Sequence, residues 1–453
     1  MNDDPTVLLT PQGQELLSRL AAEGDGSRLA LAERLRRDYP AGLVAAAMTQ
    51  QELRRAAGAK FSRAADMLFT RAGYEQSSSE AVARYRTARL RDAARVADLC
   101  CGIGGDLIAL AESSAVLAVD RDATHARLAL HNAAAYGRAE HVRAVVADVR
   151  DVALDGLDAV FIDPARRSGP GAASAATARR YRAGTSEPPL DWCEALTERV
   201  AAVCVKAAPG LPEELIPAGW EAEFIAEARD LKEAVLWSPA LATAPSAGPR
   251  RGPGTHGGPG ERDGRGPRRA TILHPPPAGQ ASPAGQASQA GQAAMIRQAA
   301  MTGQAPTTST LVATGGDQVP VREPGEYLLD PNPAVTRAGL VEDLARTLGG
   351  DVAKIDPLIA FLTLDRDVRT PFARTLRVGY SAPWNEKAFA RRLRELGIGA
   401  VDIRRRGLAG DVDQIRRRLK PQGKNRATVV ITRVSDKPWG LICTDPGDQK
   451  EED

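Results

Sequence analysis

Four carboxylates and a glycine turn, all within residues 98–163, carry the chemistry that can be read from residue types. Asp98-Leu99-Cys100-Cys101-Gly102-Ile103-Gly104-Gly105-Asp106 reads as a strand end, a glycine turn and a helix start. Glycines let a backbone approach a ligand closely, and a helix N-terminus offers unpaired N–H groups, so a nucleotide-like cofactor belongs above this turn. Asp120 closes the next β-branched run, 22 residues past Asp98, where a carboxylate can accept both ribose hydroxyls. Asp148 follows a third run, and Asp163-Pro164-Ala165-Arg166 follows a fourth. Each acidic residue thus ends a predicted parallel strand, the edge at which open α/β sheets bind ligands. Asp148 and Asp106 also have a plainer reading as caps of the helices that follow.

Asp163 is placed to orient, or take a proton from, a substrate nucleophile, and Pro164 stiffens the turn behind it. Lys206, at the end of Val203-Cys204-Val205, is a second candidate active-site group, with a solvated strand-end lysine as its alternative. Cys204 sits inside an apolar run and reads as a buried, inert thiol.

These residues need elements to hold them. Runs at 96–99, 115–119, 142–146, 159–162 and 200–205 alternate with helical windows at 106–112 and 124–136. Strand and helix in alternation predict a doubly wound parallel sheet with right-handed crossovers. Later runs at 223–225, 234–237 and 269–273 are expected to complete it antiparallel. Residues 1–92 read as helical: Thr10-Pro11 opens one helix, and Thr49 with Glu52 looks like a capping box. Residues 244–306 hold 22 Gly and Pro in 63 positions, with AGQAS-like repeats. Such a stretch cannot bury enough apolar surface to order itself, so it is expected to be a disordered insertion, with a flexible interdomain linker as the competing view. Residues 327–445 return to globular texture, with a helix at 334–348 and then a small α+β domain.

The chain has 453 residues and a net charge of +3, but residues 370–440 hold 17 Lys and Arg against 6 Asp and Glu. An excess of +11 there points to an anionic partner for that domain. Arg outnumbers Lys 51 to 9, a bias that makes some of the arginines incidental. The candidate anion-binding residues are Arg404, Arg406, Lys420, Lys424 and Arg426. The last three flank Gly423 in a loop where side chains and backbone N–H groups together can cradle phosphate. Five cysteines form no CxxC pair, which argues against a disulfide framework or zinc ribbon and fits a reducing cytoplasmic setting without a metal. With no basic leader and no long uncharged stretch, secretion and membrane insertion are not expected.

A dinucleotide fold of the dehydrogenase type would show GxGxxG, whereas Gly102 and Gly104 give GxGGDL, with Leu107 at the last glycine position. DLCCGIGGD, the AVD ending at Asp120, the AD ending at Asp148 and DPAR at 163–166, in this order and spacing, resemble class I S-adenosyl-L-methionine-dependent methyltransferases over roughly residues 76–275, with the domain itself expected at 93–275. The glycine turn is similar to that of trimethylguanosine synthase-like and uracil-C5 enzymes. The resemblance implies that Asp98, Gly102 and Gly104 shape the methionine end of the pocket, that Asp120 holds the ribose and that Asp148 faces the adenine amino group. Cys100, Gly105 and Arg121 border the same pocket, and Gln76 would close over the methionine moiety from upstream. Two departures are visible. Amino-methylating members carry an aromatic residue after DPP, where this chain has Ala165-Arg166. Uracil-C5 enzymes carry a Cys-Asn-Pro nucleophile, which Cys204 does not match.

Residues 404–439 resemble the THUMP-like C-terminal domain that follows a methyltransferase domain in an actinobacterial-type family, which implies kinship with an RNA-binding module. The expected architecture is therefore a Rossmann-like methyltransferase sheet with an N-terminal helical region and a C-terminal α+β domain. The expected activity is methylation of a base in RNA, presented flipped or single-stranded. A non-enzymatic RNA-binding protein with a relict pocket, and a methyltransferase acting on a small molecule or protein, are the alternatives. The oligomeric state is left open.

Overall fold

A computed structural model describes residues 4–22, 28–166, 186–243, 266–274, 307–408 and 410–446. The chain divides into two compact units, the first running through Ala228 and resuming at Lys232–Thr243, the second containing Ser309 onward.

In the first unit, helices α1 (Pro11–Ala22), α2 (Arg28–Leu35), α3 (Ala41–Ala57), α4 (Arg71–Gln76) and α5 (Glu80–Thr87) precede the sheet. Pro11 opens α1, and Thr10 Oγ1 accepts from the Gly13 N–H at 3.2 Å, as the sequence suggests. The capping box at Thr49 is not one. It lies in the middle of α3, where the hydroxyl bonds back to the Ala45 carbonyl at 3.1 Å, the usual outlet for a mid-helix threonine. The leucines of α1 to α3 share a core with Ile103, Ile108 and Leu128, so the N-terminal helices pack directly on the glycine turn.

The sheet strands of this unit are β1 (Arg95–Leu99), β2 (Ala115–Asp120), β3 (Val142–Val146), β4 (Ala159–Ile162), β5 (Ala202–Ala207), β6 (Glu221–Glu227) and β7 (Asp230–Trp237). Their order is β6-β7-β5-β4-β1-β2-β3. Strands β1 to β5 are parallel, and β7 pairs antiparallel with β5. The apolar runs β1 and β4 are buried almost throughout, as parallel strands covered on both faces must be. Helix α6 (Leu107–Leu110) is shorter than the window that announces it, and α7 (Ala123–Ala135) starts on an Asp122 cap. Helix α8 (Leu190–Ala195) leads into β5.

The expected insertion at 244–306 lies outside the described residues apart from 266–274, where β8 (Arg268–His274) forms as its β-branched run predicts. Strand β9 (Thr307–Val312) follows. In the second unit come β10 (Tyr327–Pro331), α9 (Pro333–Arg337) and α10 (Val341–Leu348). The single helix expected at 334–348 is two, because Gly339 turns left-handed at φ 69° between them. Then follow β11 (Ala353–Lys354), β12 (Leu362–Leu364), β13 (Ala373–Pro383), α11 (Glu386–Glu395), β14 (Ile398–Arg405), α12 (Val412–Leu419), β15 (Asn425–Val434) and β16 (Lys437–Thr444). Their sheet runs β11-β12-β10-β13-β16-β15-β14. Phe389 and Leu393 of α11, with Ile415 and Leu419 of α12, bury the apolar stripes of both helices against it. Their charged sides are left in solvent. Among the described residues no helix is long and apolar enough to cross a membrane.

Candidate active site

A cleft of ≈ 280 Å3 opens at the carboxyl ends of β1 to β5, with the turn Cys100–Gly105 as its floor. Cys100, Gly102 and Gly104 adopt positive φ of 63°, 52° and 85°. A Cβ on Gly102 would enter open space, whereas one on Gly104 would come within 3.0 Å of the Ala129 backbone. Gly102 therefore leaves room for a ligand, and Gly104 lets α7 pack close. Asn132 of α7 ties the floor to the N-terminal helices by donating to the carbonyls of Ile103 and Leu68 at 2.8 and 3.0 Å.

Asp98 and Asp120 end neighbouring strands, yet their environments differ. Asp120 lines the cleft and accepts from the backbone N–H groups of Gly102 and Asp122, each at 2.9 Å. Burial alone would raise its pKa, but the His125 ring at 3.6 Å and these N–H groups more than compensate and hold it low. Asp98 is 1% exposed, beneath the floor rather than on it, and neither carboxylate oxygen has a hydrogen-bond partner. Burial first, then the carboxylates of Asp163 and Asp120, push its pKa up to about 8.

Asp148 lines the cleft and also caps the 3₁₀ turn Val149–Asp151, accepting from the Arg150 N–H at 2.9 Å. The capping role is therefore present in a residue that also faces the cleft. The Arg150 guanidinium bridges Asp148 and Glu187, which lines the same wall.

Asp163 and Pro164 stand directly after β4, and Lys206 Nζ donates to Asp163 at 2.6 Å. Lys206 is thus not a solvated strand-end lysine. Its ammonium also lies 3.7 Å from Asp106, and Asp106 is itself ion-paired with the buried Arg86. Cys204 is fully buried behind them, and burial pushes its thiol up to about 12, as an inert cysteine requires.

Gln76 and Ser77, at the end of α4, form another wall. Lys60 holds that end by donating to the carbonyls of Tyr74 and Ser77 at 2.7 and 2.9 Å. Its pKa falls to about 8 through burial and the nearby charges of Lys232 and Lys206. Of the residues nominated from sequence, Gln76, Cys100, Gly102, Gly105, Asp120, Arg121, Asp148, Asp163, Pro164 and Lys206 converge on one cleft; Asp98 and Gly104 support its floor. Sequence reasoning missed His125, Arg150 and Glu187 as lining groups, and Arg86 and Lys60 as supports. The last two had a signal. Each is a cation at an otherwise apolar position, and such a group must find partners when buried.

In the second unit Lys420, Lys424 and Arg426 are exposed around the loop before β15, with Lys420 left-handed at φ 44°. Arg404 is exposed beside Asp402 at 3.1 Å. Arg406 is half-buried, bonded to Asp330 at 2.8 Å and stacked 4.8 Å over Phe361, so the fold already occupies it.

Adenosyl and sulfonium chemistry fits the cleft on structural grounds. The space over Gly102 is unfilled, Asp120 Oδ2 accepts one N–H and retains a lone pair for a hydroxyl, and the orphaned Asp98 carboxyl lies below.

Comparison with known proteins agrees. Residues 93–183 match the family model of the RNA cap guanine-N2 methyltransferases, residues 373–445 that of the THUMP-like domains, and residues 3–57 a domain of unknown function. An uncharacterized S-adenosylmethionine-dependent methyltransferase of Mycobacterium tuberculosis is 33% identical over 380 residues, covering 81% of this chain and 85% of that one. A solved structure from Porphyromonas gingivalis, described as a methyltransferase, superposes with a TM-score of 0.64 at 19% identity, covering 90% of this chain and 92% of its own, a likeness of fold. With that relative, this sheet and this cleft, the chain belongs to the S-adenosylmethionine-dependent methyltransferases that carry a C-terminal THUMP-like domain.

Proposed function

We propose that this enzyme methylates a base in RNA and that its basic C-terminal unit grips the RNA backbone. One observation carries the reading: a single chain joins a cleft matched by the RNA cap guanine-N2 methyltransferases to a THUMP-like unit whose region holds 17 basic against 6 acidic residues. Bound in the cleft, S-adenosylmethionine supplies a methyl group on a cationic sulfur. Asp120 would hold its ribose, Asp148 its adenine amino group, and the Cys100–Gly105 turn with Gln76 and Arg121 would enclose the rest. Transfer to a nucleophile is an in-line displacement, so positioning is the main contribution.

Asp163 accepts a hydrogen bond from the nucleophile, and Pro164 keeps it in place. Held by the Lys206 ammonium at 2.6 Å, the Asp163 carboxylate is placed to accept from the nucleophile and orient it. Lys420, Lys424 and Arg426 contact phosphates at the start of β15, and Arg404, opposite Val430 four positions further along the sheet, contacts the backbone at a separate point. The five cysteines are free thiols, in keeping with a reducing cytoplasm, where we place the reaction.

Mass spectrometry of nucleosides from a strain lacking the gene, against its parent, tests the substrate. A methylated nucleoside lost in the deletion and restored by wild type, but not by Asp163→Asn, is the expected result. Unchanged nucleosides in every RNA class would sink it.

A further inference from the structure

Arg86, on α5, has a side chain with no solvent exposure, and its guanidinium packs 5.2 Å over the Phe161 ring. It is ion-paired to Glu233 of β7 on one side and to Asp106 beside the glycine turn on the other. The other Asp106 oxygen lies 3.7 Å from Lys206 Nζ, which donates to Asp163 at 2.6 Å. Five charges of alternating sign therefore run from the core to the cleft: Glu233, Arg86, Asp106, Lys206 and Asp163. Side-chain exposure is 10% or less for the first four and 37% for Asp163, so only one end of the row is open.

A buried ion pair returns little stability compared with apolar packing of similar size. Support of the fold is therefore a weak reason to bury an arginine between two carboxylates. Position is a better one. Lysine is a flexible four-carbon stem ending in a point charge, and it holds one place only if anchored from more than one side. Asp163, partly exposed, cannot do this alone; Asp106 supplies the second anchor, and the planar fork of Arg86 fixes Asp106 against Glu233.

We infer that Arg86 is a positioning residue for methyl transfer, acting through Asp106 to fix the Lys206 ammonium and, through it, the Asp163 carboxylate. The inference rests on the reading of Asp163 and Lys206 as reacting-site groups, and not on RNA being the substrate.

The experiment keeps the two apart. Wild-type protein and labelled S-adenosylmethionine are added separately to the RNA, protein and small-molecule fractions of a strain lacking the gene. Label outside the RNA fraction overturns the substrate proposed above and leaves the Arg86 assay to be run in the labelled fraction. In that fraction, Arg86→Met is expected to lower kcat by about tenfold or more while the Kd for S-adenosylhomocysteine, by calorimetry, moves less than about threefold. Arg86→Lys should rescue little, because an ammonium restores charge but not the fork. In a Lys206→Met background the Arg86→Met change is expected to have no further effect on kcat, as serial action requires. Should Arg86→Met fail to fold, Glu233→Gln, with a smaller loss and the same non-additivity, takes its place. Losses that multiply with Lys206→Met, full rescue by Arg86→Lys, or no label in any fraction would each overturn the inference.

Discussion

Beneath the cleft of the α/β unit Glu233, Arg86, Asp106, Lys206 and Asp163 are buried or half-buried and ion-paired in a row, whereas the ionised side chains of α12 and the loop before β15 stand in solvent. Lys206 has Asp163 at 2.6 Å and Asp106 at 3.7 Å. Lys420 and Lys424 are exposed on a glycine-containing loop. The contrast separates two uses of charge. In low dielectric a paired charge is held in one geometry and a lost partner is expensive; in water a charge contributes to a field that salt can screen. Substitutions in the cleft should therefore act sharply on turnover, and substitutions on the basic unit should act gradually and with strong salt dependence.

The sharpest expected break is at the reacting end. Asp163→Asn should lower kcat by about 10²- to 10⁴-fold, the range for one positioned acid–base group, with cofactor affinity nearly unchanged. Single-turnover transfer of labelled methyl groups reads this directly, and a loss confined to KM would contradict it. Asp120→Ala comes next. Removing a charged acceptor of two hydroxyls should weaken S-adenosylhomocysteine binding by about 10- to 100-fold in calorimetry; equal affinity would remove the ribose assignment.

A third test uses pH. The folded pKa of Asp98 lies at about 8, above the ordinary carboxyl value of 3.8. Between those values the folded state binds a proton that the unfolded chain does not, so Asp98 costs stability as pH rises from the lower value towards the upper. Asp98→Asn should therefore stabilise the protein at pH 8 relative to pH 5, by on the order of 4 kcal/mol, in denaturant titrations at the two pH values. A difference of the opposite sign would mean that the carboxylate is compensated within the fold.

The smallest effect belongs to the basic unit. Replacing Lys420, Lys424 and Arg426 together by Ala should leave cofactor binding intact and flatten the plot of log affinity against log salt by about 2 for single-stranded RNA, at roughly 0.7 per lost phosphate contact. An unchanged slope would assign those cations to solvent alone and leave the contrast between the units resting on the cleft.

Legibility differed between the units for related reasons. The glycine turn and the carboxylates at strand ends are local patterns: β-branched runs fix where strands stop, and in a parallel sheet those stops share one edge. Asp120, Asp148 and Asp163 could be placed before any coordinate was known. Boundaries that depend on a single backbone torsion were less legible, as with the left-handed Gly339 that divides α9 from α10. The mid-helix position of Thr49 also escaped, because a Thr-x-x-Glu spacing occurs inside helices as readily as at their starts. Arg404 and Arg406 are neighbours in a basic run, yet one is exposed and the other is taken by Asp330 and Phe361. Charge type alone cannot tell them apart.

By itself the sequence determined the alternation of strand and helix, the chemistry of the turn and the uneven placement of basic residues, since these follow from local propensity and composition. Only the tertiary structure decided which charges meet. It set Asp98 without a partner under the floor and Asp120 among three donors, though both end adjacent strands. It also joined Arg86 to Asp163 through Asp106 and Lys206, residues 20 and 120 positions further along the chain than Arg86. Such pairs form where separate elements pack, and the energy of a buried charge depends on what surrounds it in space, a quantity that no window of sequence contains.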